Sequence, residues 1–227
     1  MQYSAKVLNA WDEAEGIRTV KFSRGFDFLP GQFAVVRLPC DDKRAGIRTL
    51  SIASSPTEDF LLFTTKISDS GFKQAFAALK KGDSMTVKGP SGNFVFDEKR
   101  DAVMISGGVG ITPLRSMIKY ATDRKPGTKI TLLYSNRTPD GIAYRRDLEN
   151  MAKDNGNFRL VNTITGDAPG WNGERGRIDA NMIGKYASSG ALYYICGPPA
   201  MVEAVRNALA DAKIDQGSVM AEDFKGY

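Results

Sequence analysis

The stretch Val103-Met104-Ile105-Ser106-Gly107-Gly108-Val109-Gly110-Ile111-Thr112-Pro113-Leu114-Arg115 constrains the fold more than any other part of the chain. An apolar, β-prone run ends in a glycine cluster, and a Thr-Pro step opens an amphipathic segment. This reads as a strand, a tight turn and a helix start. Backbone amides at a helix N-terminus attract anions, phosphate above all. The cluster is no Walker loop, because no Gly-Lys-Ser/Thr follows it. Its spacing also departs from the common dinucleotide fingerprint. Taken alone, it fits either a phosphate-binding turn or a purely structural one.

The surrounding pattern extends the same rhythm. From Asp101 on, Ala102–Ser106, Lys129–Ser135, Phe158–Thr163, Ala191–Cys196 and Ser218–Ala221 read as strands. Between them, Pro113–Arg124, Tyr144–Asp154, Asp179–Tyr186 and Pro199–Ala212 read as helices, and Asp167–Arg177 as a surface loop. Alternation of this kind predicts a parallel sheet covered on both faces. A second buried strand runs into Cys196-Gly197-Pro198-Pro199 and then a helix. In open α/β sheets ligands sit at the carboxyl ends of the strands, so the turns after Ser106 and Ile195 line one crevice. Cys196 is either part of that site or a buried small hydrophobe, the usual state of a free cysteine.

The earlier part of the chain has a different rhythm. Tyr3–Trp11, Gly16–Phe22, Gln32–Leu38, Ile47–Ala53, Phe60–Lys66 and Ser84–Lys88 read as short strands between turn signals, with one helix at Phe72–Leu79. Many short strands with a single helix predict a small antiparallel barrel. The expected architecture is therefore α/β plus all-β: an antiparallel barrel over 1–97, then a parallel-sheet domain over 98–227.

Residue counts narrow the chemistry. The chain has no histidine, which excludes Ser-His-Asp and Cys-His hydrolases and His-ligated zinc enzymes. Two cysteines, Cys40 and Cys196, give neither a disulfide framework nor a Cys-rich metal or iron–sulfur site, so no metal is expected. The hard chemistry then falls to a bound cofactor. No apolar run approaches the ~20 residues of a membrane span, and the first residues lack the apolar core of a signal peptide. A reducing cytoplasmic setting is expected. The net charge of +5 suits solubility or the docking of an acidic partner, and without a long basic block nucleic acid is not an expected ligand.

Five pieces in order then resemble the ferredoxin–NADP⁺ reductase-like family. Phe28–Gln32 is similar to its Phe-x-Pro-Gly-Gln turn, and Arg48–Ser51 to its flavin motif Arg-x-Tyr-Ser. Gly89–Phe94 is similar to its Gly-Pro-x-Gly-x-Phe junction, Gly107–Pro113 to its pyridine-nucleotide turn, and Cys196–Pro199 to its nicotinamide turn. The resemblance implies an FAD-binding barrel followed by an NAD(P)-binding α/β domain. It also implies a flavin-dependent oxidoreductase that takes hydride from NAD(P)H and passes electrons to a protein or small-molecule acceptor. An acidic redox protein such as ferredoxin or flavodoxin fits that role. The alternative is an electron-transfer subunit that works only within a larger redox complex.

Residue by residue, the resemblance implies Ser51, Cys196 and Glu222 as catalytic groups. It implies flavin contacts from Arg48, Thr49, Leu50 and Ser51, from Thr65 and Lys66, from Gly71, Phe72 and Lys73, and from Phe224 and Tyr227. For the nucleotide it implies Gly108, Gly110, Ile111, Thr112 and Pro113, then Ser135, Arg137 and Arg145, then Cys196, Gly197 and Pro198. Ser135 and Arg137, with no acidic residue over 135–138, favour NADPH over NADH. Two departures stand out. Leu50 occupies the place of a flavin-stacking Tyr, and Lys73 stands where the family often has Ser or Thr.

Overall fold

In the computed structural model, which describes residues 1–187 and 190–224, two six-stranded sheets follow one another along the chain. The first is built from β1 (Gln2–Ala14), β2 (Ile17–Ser23), β3 (Phe33–Arg37), β4 (Ile47–Ser51), β5 (Phe60–Lys66) and β6 (Ser84–Ser91). It is antiparallel, in the order β4-β3-β6-β1-β2-β5. Just past β4, Ala53 N donates to Leu62 O at 2.9 Å, which brings the two edge strands together and curls the sheet into a barrel. Alternation along β5 decides which way each side chain faces. Leu61 and Phe63 fill the barrel with Val20, Phe22 and Val87, whereas Leu62 packs outward with Ile17 against the second sheet. Helix α1 (Gly71–Ala77) plugs the barrel with Phe72 and Phe76, whose rings stack at 6.0 Å.

The second sheet holds β7 (Ala102–Gly107), β8 (Ile130–Asn136), β9 (Phe158–Ile164), β10 (Glu174–Arg175), β11 (Leu192–Gly197) and β12 (Val219–Asp223). It is parallel throughout, in the order β10-β9-β8-β7-β11-β12. The central strand β7 is buried on both faces. Ala102 and Met104 pack with α2 (Ile111–Arg124) and α3 (Arg145–Asp154), and Val103 and Ile105 pack with α4 (Ala180–Tyr186) and α5 (Pro199–Asp211). The chain leaves β7 toward β8 on one side and returns as β11 on the other. The ends of β7 and β11 therefore flank the switch point where such sheets bind ligands.

Three expectations shift in detail. β1 runs on to Ala14, where its partner strand β2 continues the ladder down to the turn. Helix α2 starts at Ile111 rather than Pro113, because a 3₁₀ turn at Gly108–Gly110 feeds straight into it. Pro113 then sits in the first helical turn, where a missing N–H is tolerated. The loop expected over 167–177 contains β10, which adds to β9 by backbone pairing alone.

Candidate functional site

At the ends of β7 and β11 two turns approach closely. A Cβ on Gly110 would lie 2.3 Å from the Cys196 carbonyl oxygen, so only glycine lets the turns meet. Gly108 has φ +53° and open space where a Cβ would point. The Tyr134 hydroxyl donates to the Gly108 carbonyl at 2.9 Å and holds this peptide, while burial raises the Tyr134 pKa and keeps the donor protonated. Over the turns lies a cavity of about 770 Å³. Gly107, Gly108, Pro198 and Met201 line one wall, Ser135, Arg137 and Thr138 a second, and Arg177 and Ile178 a third. The barrel closes the fourth side with Glu15, Gly16, Ile17 and Lys66.

The sequence-predicted nucleotide residues divide in two here. Gly108, Ser135, Arg137 and Pro198 face the cavity. Gly110, Ile111, Thr112 and Pro113 lie buried beneath it, and the Thr112 hydroxyl donates to Val109 O at 3.0 Å to tie the turn. Cys196 and Gly197 end a strand buried along its whole length. Arg145 is not among the lining residues. Its place on α3 gives it an i,i+4 partner, Glu149, at 3.0 Å, and its guanidinium sits 5.6 Å over Trp171. Lys66, expected on the flavin, lines this crevice at the end of β5 and also lies near Lys73 of the barrel-side pocket. Arg177 escaped the sequence reading because it lies in a glycine-rich loop with no pattern to mark it.

On the barrel side a second cavity, of about 250 Å³, is lined by Arg48, Thr49, Leu50, Ser51, Thr65, Phe72, Lys73 and Phe224, together with Phe33, Arg44, Glu222 and Asp223. A third, of about 460 Å³, shares Arg44, Arg48 and Lys73 with it and continues past Asp42, Ser70 and Gly71. The pair forms a hydroxyl-lined and aromatic-lined pocket that opens into a groove lined by charges of both signs. Leu50 is packed into the barrel core and forms the pocket floor, so the aromatic faces here belong to Phe33, Phe72 and Phe224. Arg48 forks onto Asp42 at 2.7 and 2.8 Å and lies 5.0 Å over the Phe72 ring. Gly71 brings α1 against the Asp41–Asp42 loop, where a Cβ would fall 1.9 Å from Asp41 O. Phe33 and Arg44 went unread in the sequence. Phe33 could have been placed by its pairing with Ser51 once the strands were aligned. Tyr227 lies outside the described residues.

Residues 17–96 match the oxidoreductase FAD-binding domain, and residues 104–207 the oxidoreductase NAD-binding domain. The chain belongs to the FAD- and NAD-binding oxidoreductase family. Among its relatives, NADH-cytochrome b5 reductase 1 of Aspergillus terreus is 33% identical over 71% of this chain and 59% of that protein. The glycine betaine monooxygenase reductase subunit of Pseudomonas aeruginosa is 31% identical over 96% of this chain and 62% of its own. The chain thus spans less than two thirds of the length of these curated relatives. Among solved structures, the Amycolatopsis cytochrome P450 reductase GcoB superposes with a TM-score of 0.86 at 25% identity, covering 99% of this chain and 70% of that one. A ferredoxin NADP⁺ reductase of Neisseria gonorrhoeae with bound FAD and NADP shares the fold, with a TM-score of 0.83 at 21% identity and 98% of both chains covered.

The charged groups around the two cavities differ in burial and pairing. Lys73 is only 6% exposed, and burial together with the neighbouring Arg48 and Lys66 lowers its pKa. The groove also holds Asp42, which meets the Arg48 fork, so its cations and its carboxylate are arranged together. Glu222 has Oε2 buried without a hydrogen-bond partner, and burial plus the nearby Asp223 raise its carboxyl to about 7. A buried oxygen of this kind facing a pocket fits a ligand polar group. The Cys196 thiol is fully buried against the barrel-facing core, and burial, then Glu222 and Asp223, push its pKa well up. It stays protonated and faces packed side chains, which fits the buried-hydrophobe reading of Cys196. Among the described residues no cluster of His, Cys, Asp and Glu could hold a metal ion, and no helix is long and apolar enough to cross a membrane.

Proposed function

We propose that this chain is an FAD-dependent NADPH oxidoreductase passing electrons to an acceptor outside the chain. One observation carries the reading: strand register sets the nucleotide turn and the flavin pocket on either side of β11. On β11, Cys196 pairs with Ser106 at the nucleotide turn on one side and with Glu222 of the flavin pocket on the other. The chemistry supplied by bound FAD is acceptance of a hydride from C4 of the dihydronicotinamide, which is thereby oxidised, and delivery of the two electrons onward.

The chain's own residues bind, orient and exclude water. Backbone amides at Gly108 and Val109, with the N-terminus of α2, take the nucleotide pyrophosphate. Ser135, Arg137 and Arg177, which line the cavity, would take a 2′-phosphate, and the absence of a carboxylate over 135–138 disfavours a free 2′-hydroxyl. Arg48 and Lys73 flank the flavin pyrophosphate. Ser51, Thr65, Thr49, Leu50 and Phe224, which line the barrel-side pocket, would hold the flavin ring, with hydroxyls from Ser51 and Thr65. Glu222 holds or releases a proton near neutral pH at Oε2. Cys196 acts by its position, setting the distance between the two turns. The net charge of +5 suits an acidic redox partner such as ferredoxin or flavodoxin in the cytoplasm.

A second reading, an electron-transfer subunit of a larger complex, is supported by the reductase-subunit names of several relatives and by the partial span of their length. Anaerobic titration of the FAD-loaded protein with NADPH and NADH, followed by flavin absorbance, tests the main reading. NADPH is expected to bleach the flavin at lower concentration than NADH. A chain that takes up no FAD, or whose flavin neither nucleotide bleaches, overturns it. Steady dye reduction without a partner decides for the enzyme over the subunit.

A further inference from the structure

Behind the nucleotide turn, a buried charge cluster crosses from the parallel sheet to the barrel. Arg115 lies on α2, just past its first turn, and is 5% exposed. Its guanidinium donates to both oxygens of Glu58 and, through Nη1, to Ala53 O at 3.1 Å, both on the barrel side. Nε donates to Asp147 Oδ2 on α3 at 2.8 Å, and the plane lies 5.6 Å from the Tyr144 ring. The next residue, Ser116, donates to Ser54 O at 2.6 Å. Tyr144 in turn hydrogen-bonds the Thr64 hydroxyl, which bonds Thr19, and the Tyr144 N–H donates to Glu13 Oε1 at 3.0 Å.

The placement of these contacts is what matters. Ala53 follows Ser51 by two residues, and Thr64 immediately precedes Thr65; Ser51 and Thr65 both line the flavin pocket. Gly110 closes the nucleotide turn immediately before α2. One cluster therefore grips the helix that carries the nucleotide turn and the two strands that carry the flavin pocket. A buried charge network is weak evidence for stability, since apolar replacements are often as stable. What a forked guanidinium adds is direction: three acceptors on two layers can be met together in only one relative placement.

We propose that Arg115 is a positioning residue for hydride transfer, fixing the nucleotide turn against the flavin-bearing strands of the barrel. This rests on the NADPH-to-flavin reading above. A misplacement of about 1 Å between reacting groups costs up to about a hundredfold in rate.

The test uses FAD-loaded wild type, Arg115→Met and Arg115→Lys. Four readouts apply: FAD stoichiometry, NADP⁺ affinity from the flavin difference spectrum, amide exchange over 53–58 and 111–118, and the saturating anaerobic reduction rate with NADPH. In Arg115→Met, full FAD content, NADP⁺ affinity within about threefold of wild type, faster exchange in both segments and a reduction rate at least about tenfold lower are expected. A full deuterium isotope effect from NADPH labelled at the transferring position is expected to locate the loss in the transfer step. Arg115→Lys keeps the charge without the fork and is expected to fall between the other two. If Arg115→Met does not accumulate folded, Arg115→Lys alone carries the comparison. A variant reduced at the wild-type rate overturns the proposal, and so does a rate loss that only tracks lost FAD. A wild type that NADPH does not reduce instead sinks the functional reading beneath it.

Discussion

Glu222 is the residue whose environment makes the sharpest demand. Its carboxyl lies at about 7 because burial penalises the charge and Asp223 adds repulsion. An ordinary Glu ionises near 4.5. The folded state therefore binds this proton more tightly than the unfolded state. The contribution to stability is fully present below the unfolded value and is lost as pH rises through about 7. Glu222→Gln keeps a neutral side chain at every pH. The variant is expected to gain on wild type as pH rises from 5 to 8, by an amount on the order of 2 kcal/mol, measured by denaturant unfolding of the flavin-free chain. A stability difference that stays flat across that range counts against a neutral Glu222. The same substitution removes the proton at Oε2, so the pH dependence of flavin reduction should flatten near neutrality. This role was written in the sequence only as a position near the chain's end. Its physics comes from β12 lying beside β11 and from the adjacent acid, which a linear pattern does not display.

Among the elements, β8 shows how a strand serves the site from beneath as well as from its end. Tyr134 is fully buried in β8, and its hydroxyl holds the carbonyl of Gly108. Tyr134→Phe keeps the ring and removes only that donor. Leaving the acceptor unpaired is expected to cost about 1–3 kcal/mol in stability. It should also weaken NADP⁺ binding by several-fold, read by titration, because the Gly108 peptide is freed to rotate. Unchanged affinity would show that the turn holds itself. The elements themselves were largely legible. Strong strand patterning places β5 at Phe60–Lys66, and Ile-Thr-Leu-Leu-Tyr places β8 within one residue at each end. β10 was not legible, because two residues pairing through backbone leave no side-chain period. The two glycine turns were readable as turns, but which of their residues face the cavity was not. Thr112 and Pro113 stand in the motif, and the structure shows their side chains buried in the first turn of α2. Arg115 stood in the same motif, and its partners Glu58 and Ala53 are far away in sequence, so only the folded chain joins them.

For the molecule as a whole, the question is whether barrel and parallel sheet behave as separate bodies. Halves joined by small polar interfaces commonly move and melt apart. Here the seam is continuous with the core: Ile17, Ala53, Leu62 and Phe94 of the first half pack in one cluster with Met104, Leu114, Met117 and Tyr194 of the second. A backbone contact reinforces it, with Glu15 N donating to Asp140 O at 3.0 Å. The Arg115 cluster adds the buried Arg115–Glu58 pair, which separation breaks while Asp147 on α3 still holds Arg115. Separating the halves therefore exposes apolar surface and breaks the pair that crosses the seam, so the two halves are expected to unfold together. Heating the FAD-loaded protein is expected to give one transition in which flavin release, seen by flavin fluorescence, coincides with loss of far-UV circular dichroism. Excess FAD should raise both midpoints together, because ligand that binds only the folded state stabilises whatever unfolds with it. If flavin leaves first while the parallel sheet keeps its signal, the halves are energetically distinct. The rigid seam would then not be what holds nucleotide and flavin in register.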